Sequence, residues 1–110
     1  MTLLQKMERN RSRDCENLRQ EVRRGLWEAL RQTLPNHRVI VFGSLVRPGR
    51  FNEQSDVDLA LESEPVGMSV YQLCSLLAER LGRRVDVLLL SESRFRDKIL
   101  KEGETWTLPG

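Results

Sequence analysis

VIVFGSLVRPGRFNEQSDVDLAL, residues 39–61, reads as two strands joined by a polar loop. Val39-Ile40-Val41-Phe42 is β-branched and apolar, the composition of a short buried strand, which extends back to Arg38. Gly43-Ser44 ends it, and Pro48-Gly49 marks a turn inside a polar stretch that reaches Ser55. Asp56-Val57-Asp58-Leu59-Ala60-Leu61 then alternates acidic or small residues with apolar ones, the period of a strand with two unlike faces. Two apart on that strand, Asp56 and Asp58 point to one face while Val57 and Leu59 enter the core.

The flanks supply helices. Leu18, Val22, Leu26 and Leu30 recur every four residues with Trp27 and Leu34 beside them, an amphipathic helix that Pro35-Asn36 stops. The pattern leaves open whether this helix begins near Leu3. Downstream, Ser69 is a natural N-cap for a helix carrying Leu73, Leu76, Leu77 and Leu81, and Gly82 closes it. Arg84 to Leu89 is a third strand. Ser91 or Ser93 caps a short helix through Ile99 and Leu100 to Gly103, and Trp106-Thr107-Leu108 forms a last edge strand. The order α-β-β-α-β-α-β predicts an α+β fold (an α/β two-layer arrangement): a small mixed β-sheet of three to four strands with helices packed on it.

At 110 residues the chain has room for one domain, 1–110, with a helical segment over 1–35 and a sheet core over 38–108. Its 39% apolar and 31% charged composition excludes a fibrous or disordered chain. No apolar run approaches the roughly 20 residues of a membrane span, and the start lacks a secretory signal, so no membrane partner is expected. Cys15 and Cys74 fit no metal spacing, which points to reduced thiols in a cytoplasmic protein.

Charge is unevenly spread. Residues 1–38 carry nine Lys/Arg against five Asp/Glu, while residues 39–110 carry nine against eleven. A basic first third suits an acidic partner or a solvated helix of mixed charge. With 5% aromatic residues it is not the surface of a dedicated nucleic-acid binder, and direct nucleic-acid binding is not expected.

Asp56 and Asp58 are the sharpest feature. Two like charges about 4–6 Å apart repel by several kcal/mol at an effective dielectric near 20. Exposure, protonation of one acid, or a bound cation relieves this, and hard oxygen ligands on one face suit Mg²⁺ or Mn²⁺. Asp86 lies in the otherwise apolar strand Arg84 to Leu89, where an acid is costly unless paired or ligating. Pairing with Arg83 or Arg84 is expected to be awkward, because those neighbours lie in the turn or point elsewhere. If this strand lies beside the Asp56–Leu61 strand, three carboxylates converge. Gly43 permits close backbone approach, and the following amides with the Ser44 hydroxyl suit phosphate oxygens. His37 belongs on a loop surface and Trp106 on the sheet edge.

Strand, Gly-Ser, polar loop, Asp-x-Asp strand, helix and a lone Asp on a later strand together resemble the minimal nucleotidyltransferase (MNT) domain of the DNA polymerase β-like superfamily. The likeness rests on VFGSLVRPGRFNEQSDVDLALE and RRVDVLLL and covers residues 39 to about 103. One departure is visible: eleven residues separate Ser44 from Asp56 where the family has ten. The resemblance implies that Asp56, Asp58 and Asp86 hold two divalent ions (Mg²⁺ or Mn²⁺) and are the catalytic residues. It implies that Gly43 and Ser44 bind the β- and γ-phosphates of ATP, with Arg47, Arg50 or both on the departing pyrophosphate.

Without an added substrate domain, the chain is similar to stand-alone members that act as antitoxins beside helical HEPN-type toxins. That implies transfer of AMP from ATP to a hydroxyl of a partner protein, in a hetero-oligomer, with a homo-oligomer also open. Two further readings stand beside it. One is an antitoxin that works by occlusion with a vestigial site. The other is a nucleotidyltransferase subunit acting on a small molecule or RNA.

Overall fold

The computed structural model describes residues 2–110. The order is α1 (Leu3–Thr33), β1 (Arg38–Phe42), a 3-10 turn (Gly43–Val46), β2 (Val57–Leu61), α2 (Val70–Leu81), β3 (Val85–Leu89), a second 3-10 turn (Leu90–Glu92), α3 (Arg96–Glu102) and β4 (Glu104–Thr107). The strands form one mixed sheet in the order β3-β2-β1-β4. β1 is antiparallel to both β2 and β4, and β2 and β3 run parallel. The parallel pair follows from the intervening α2, since parallel neighbours need a crossover.

The two sheet faces differ in depth of cover. Val39, Val41, Val57, Leu59, Leu61 and Val85 pack against Leu26, Leu30, Leu73 and Leu77 of α1 and α2. Each such fully buried aliphatic side chain contributes about 1.5–3 kcal/mol. The opposite face has a smaller cluster, Ile40, Ala60, Leu90 and Ile99. Asp58 and Asp86 stand on this second, thinly covered face, because side chains alternate along a strand.

Helix α1 begins at Leu3, farther back than the apolar stripe reaches. Thr2 caps it: its hydroxyl accepts from the Gln5 N–H and the Gln5 side chain accepts from the Thr2 N–H. Its first three turns are exposed throughout and carry Leu3, Leu4 and Met7 on the surface. At 1.5 Å per residue the helix is about 46 Å long, which accounts for most of the 54 Å long axis. No helix among the described residues is long and apolar enough to cross a membrane.

Helix α2 follows its expected caps. Ser69 and Gln72 form a capping box, and Gly82 ends the helix at φ 64°, in the left-handed region. The segment after β3 departs from expectation. Neither Ser91 nor Ser93 caps α3; Phe95 precedes it without a side-chain cap, and the Ser93 hydroxyl accepts from the Phe95 N–H. Trp106 lies on β4, the edge beyond β1, with its ring 5.8 Å from Trp27 in an edge-to-face contact. Cys15 and Cys74 are free thiols, and His37 sits just before β1 with Nδ1 2.9 Å from the Pro35 carbonyl.

Candidate functional site

Register brings the acidic residues together. Asp58 on β2 pairs with Asp86 on β3, and Phe42 at the end of β1 pairs with Asp58. Parallel neighbours lie about 4.8 Å apart, so the carboxylates of Asp58 and Asp86 leave one face as adjacent groups. Asp56 sits one residue before β2, half-buried. Arg84 Nε lies 3.4 Å from Asp86 Oδ1 and 3.9 Å from Asp56 Oδ2. Those two oxygens are therefore no farther apart than the sum of these distances.

Two expectations about Asp86 need correction. It is exposed rather than buried, because β3 is an edge strand whose second face is poorly covered. Pairing with Arg84 is also not awkward. The two are i and i+2 on an extended chain and share a face, and the guanidinium reaches both Asp86 and Asp56.

Asp58 feels both its burial and its acidic neighbours. Burial, then the charges of Asp86 and Asp56, raise its pKa above the ordinary aspartate value, with Arg84 pulling the other way. Three hard oxygen donors with a deficit of positive charge fit a divalent cation chemically. Among the described residues, no three His, Cys, Asp or Glu side chains close round one point as a finished metal cage.

Gly43 follows β1 at φ 76°, a conformation that side chains with a Cβ rarely adopt. A Cβ there would also lie 2.5 Å from Asp58 Oδ2. The Gly-Ser turn and the acidic strand therefore touch. Ser44 is half-buried and its carbonyl accepts from the Arg47 N–H at 3.1 Å. Arg19 of α1, itself buried, donates from Nη1 to the Leu45 carbonyl at 2.9 Å and ties this turn to the helix.

A cavity of about 610 Å³ opens beside the turn, lined by Gly43, Ser44, Arg47, Arg50, Lys98 and Glu102, with apolar walls from Phe42, Leu88, Phe95 and Ile99. Arg47 is held by Glu102 at 2.8 Å. The structure thus gathers Gly43, Ser44, Arg47 and Arg50 round one opening, and Asp58 against Gly43. Sequence reasoning missed Lys98, Glu102 and Phe95, which come from the segment around α3, where no motif places them.

Residues 28–106 match the family model described as Polymerase beta, Nucleotidyltransferase. No curated protein matches the chain. A solved structure titled "Crystal structure of the toxin-antitoxin with AMP-PNP" superposes with a TM-score of 0.60 at 22% identity, over 76% of this chain and 72% of that one. That likeness is one of fold. With the Gly-Ser turn set against the Asp-x-Asp strand, and a family match over most of its length, the chain belongs to the polymerase beta nucleotidyltransferase family.

Proposed function

We propose that the protein transfers a nucleoside monophosphate, AMP from ATP, to a hydroxyl of a partner protein, and that the partner is a toxin which it silences. The observation that carries this reading is the contact of Gly43 with Asp58, which sets a phosphate-binding turn against the carboxylates beside a basic cavity. The neighbouring fold was solved as a toxin-antitoxin with AMP-PNP, which supports a nucleotide and a toxin as partners in general; the HEPN type of that toxin is part of the proposal and rests on the sequence resemblance alone. ATP use and free thiols accord with a cytoplasmic protein.

The roles follow from position. Asp56, Asp58 and Asp86 would hold Mg²⁺ or Mn²⁺, two ions in this family, which supply charge stabilisation for in-line displacement at the α-phosphorus. Gly43 and Ser44 offer amides and a hydroxyl to the β- and γ-phosphates. Arg50 and Lys98 face the same cavity and stabilise the departing pyrophosphate, joined by Arg47 once it leaves Glu102. The exposed first turns of α1, with Leu3, Leu4 and Met7 among Lys6, Arg9, Arg11 and Arg13, present a surface for a helical partner.

One observation favours the occlusion reading. Arg84 already neutralises part of the acidic cluster, so the fold can hold these carboxylates without a metal. The test separates the two. Incubation of the co-purified partner with ATP and Mg²⁺ is expected to add one adenylyl group by mass spectrometry, and the Asp56→Asn/Asp58→Asn variant is expected to add none. Full neutralisation of the partner by that variant would establish occlusion instead.

A further inference from the structure

A second groove, of about 900 Å³, borders Asp86 and is built unlike the basic cavity. It runs between the first turn of α2, at Ser69, Val70 and Tyr71, and the stretch from Glu92 to Phe95. Glu64, Asp86 and Glu92 face it against a single cation, Arg94. The first cavity has the opposite balance, with Arg47, Arg50 and Lys98 against Glu102. Leu88 and Phe95 line both and form the wall between them. A basic and an acidic site thus meet beside the candidate catalytic carboxylates.

The acidic groove is lined along one side by β3, the sheet's edge strand. Val57 N–H donates to the Arg84 carbonyl at 3.0 Å. Alternate residues of a strand turn their N–H and C=O to opposite sides, so Arg84, Asp86 and Leu88 bond towards β2. Val87 and Leu89 then direct theirs outward, and both residues line the groove. Among the described residues no backbone group from another segment pairs with Val87 or with the Leu89 N–H, whereas the Leu89 carbonyl opens the 3-10 turn that follows. Such an edge is a template for a further strand, and a helix cannot serve because its backbone bonds are internal.

We infer that this groove is the acceptor subsite, and that it receives an extended, basic segment of a partner protein, added along β3 with its hydroxyl residue beside Asp86. The inference rests on the nucleotidyl-transfer reading and names the class of acceptor for it. A hydroxyl side chain on the added strand shares the face of Asp86. Its oxygen forms the new bond to the α-phosphorus, its proton passes to the carboxylate, the bond between α- and β-phosphates breaks, and pyrophosphate leaves through the basic cavity. Glu64 and Glu92 select the positive segment and play no part in the chemistry.

The test uses ¹⁵N-labelled full-length protein and two synthetic peptides of alternating Val and Tyr, one with Lys and one with Glu at the charged positions. The Lys peptide is expected to slow hydrogen exchange at the Val87 and Leu89 amides and to bind at least about tenfold tighter than the Glu peptide. Glu64→Lys/Glu92→Lys is expected to reverse that preference while leaving the affinity for Mg²⁺ with AMP-PNP unchanged. Equal binding of the two peptides, or unaltered exchange at Val87 and Leu89, would overturn the inference. Failure of the wild-type chain to bind Mg²⁺ with AMP-PNP would instead overturn the nucleotidyl-transfer reading, and the acceptor role with it.

Discussion

Asp58 and Asp86, far apart in the chain, are register partners on adjacent parallel strands. The crossover through α2 makes that possible, since it returns the chain in the direction of β2 and lays β3 on its free side. Two carboxylates on one face, with Asp56 close by, then create a local excess of negative charge that the fold alone does not cancel.

The consequence is a defined pH dependence of the metal-free protein. Asp58 has its folded-state pKa raised above 3.8, first by burial and then by Asp86 and Asp56. Its ionised form is thus less favourable folded than unfolded. Stability on this account falls as pH rises from 3.8 through the folded value, and the loss persists at neutral pH. Asp58→Asn should be more stable than wild type at neutral pH, with the difference vanishing in acid. Thermal denaturation without metal checks this, and a variant less stable at neutral pH would contradict it.

Arg84 is the group that stands in for a cation. Its guanidinium reaches Asp86 and Asp56, and it opposes the rise in the Asp58 pKa. Arg84→Ala should therefore bind Mn²⁺ several-fold more tightly, while losing stability when no metal is added. Calorimetry and electron spin resonance of Mn²⁺ report the first effect. Unchanged Mn²⁺ affinity would mean that the guanidinium does not compete for these carboxylates.

Much of this arrangement was legible in the sequence because it depends on short-range rules. The β-branched run at Val39–Val41, the alternation from Asp56, and the Ser69 and Gly82 caps each set local conformation directly. Burial of Asp86 was misjudged because its strand looks apolar throughout, yet lies at the sheet edge with one face thinly covered. An apolar run does not say whether a strand is central. The cavity wall from Phe95 to Glu102 was invisible for another reason: α3 reaches the site only through tertiary placement against Ile40. Likewise, the exposed start of α1 follows its Thr2–Gln5 capping box and not an apolar stripe.

Gly43 should tolerate no side chain. Adopting a left-handed conformation costs a residue with a Cβ about 1–2 kcal/mol, and the added atom would meet Asp58 Oδ2 at 2.5 Å. Gly43→Ala is expected to lower stability by more than the conformational cost alone. In an Asp58→Ala background the penalty should shrink, with a coupling of about 0.5–3 kcal/mol in a double-mutant cycle. Equal penalties in both backgrounds would show that the carboxylate is not what the methyl group meets.

Arg19 positions the turn from the other side. Its guanidinium is buried between Glu16 and the Leu45 carbonyl. Arg19→Met removes the donor to that carbonyl and should cost about 1–3 kcal/mol, with faster hydrogen exchange over Gly43–Val46. The hydrogen bond from Arg19 holds Glu16 down to about 2 from 4.5. A depressed carboxylate stabilises above its unfolded value, so this contribution is present above pH 4.5 and is lost as pH falls towards about 2. Exchange rates indistinguishable from wild type in Arg19→Met would remove its positioning role.

Ser44 and Glu102 should shift nucleotide affinity in opposite directions. Ser44 lines the basic cavity, and its hydroxyl is suited to one phosphate oxygen. Ser44→Ala should weaken AMP-PNP binding by about 1.5–3 kcal/mol, the worth of a charge-assisted hydrogen bond. Glu102 instead adds negative charge to the same cavity and engages Arg47 at 2.8 Å. That pair is half exposed and contributes at most about 1 kcal/mol to stability, so Glu102→Gln leaves the fold intact. With the anion gone, Arg47 is available to the phosphates and binding should tighten a few-fold. Calorimetry of both variants with Mg²⁺ present decides the matter: unchanged affinity in Ser44→Ala removes the hydroxyl from the phosphate cradle, and weaker binding in Glu102→Gln would mean that the salt bridge positions Arg47 rather than restrains it.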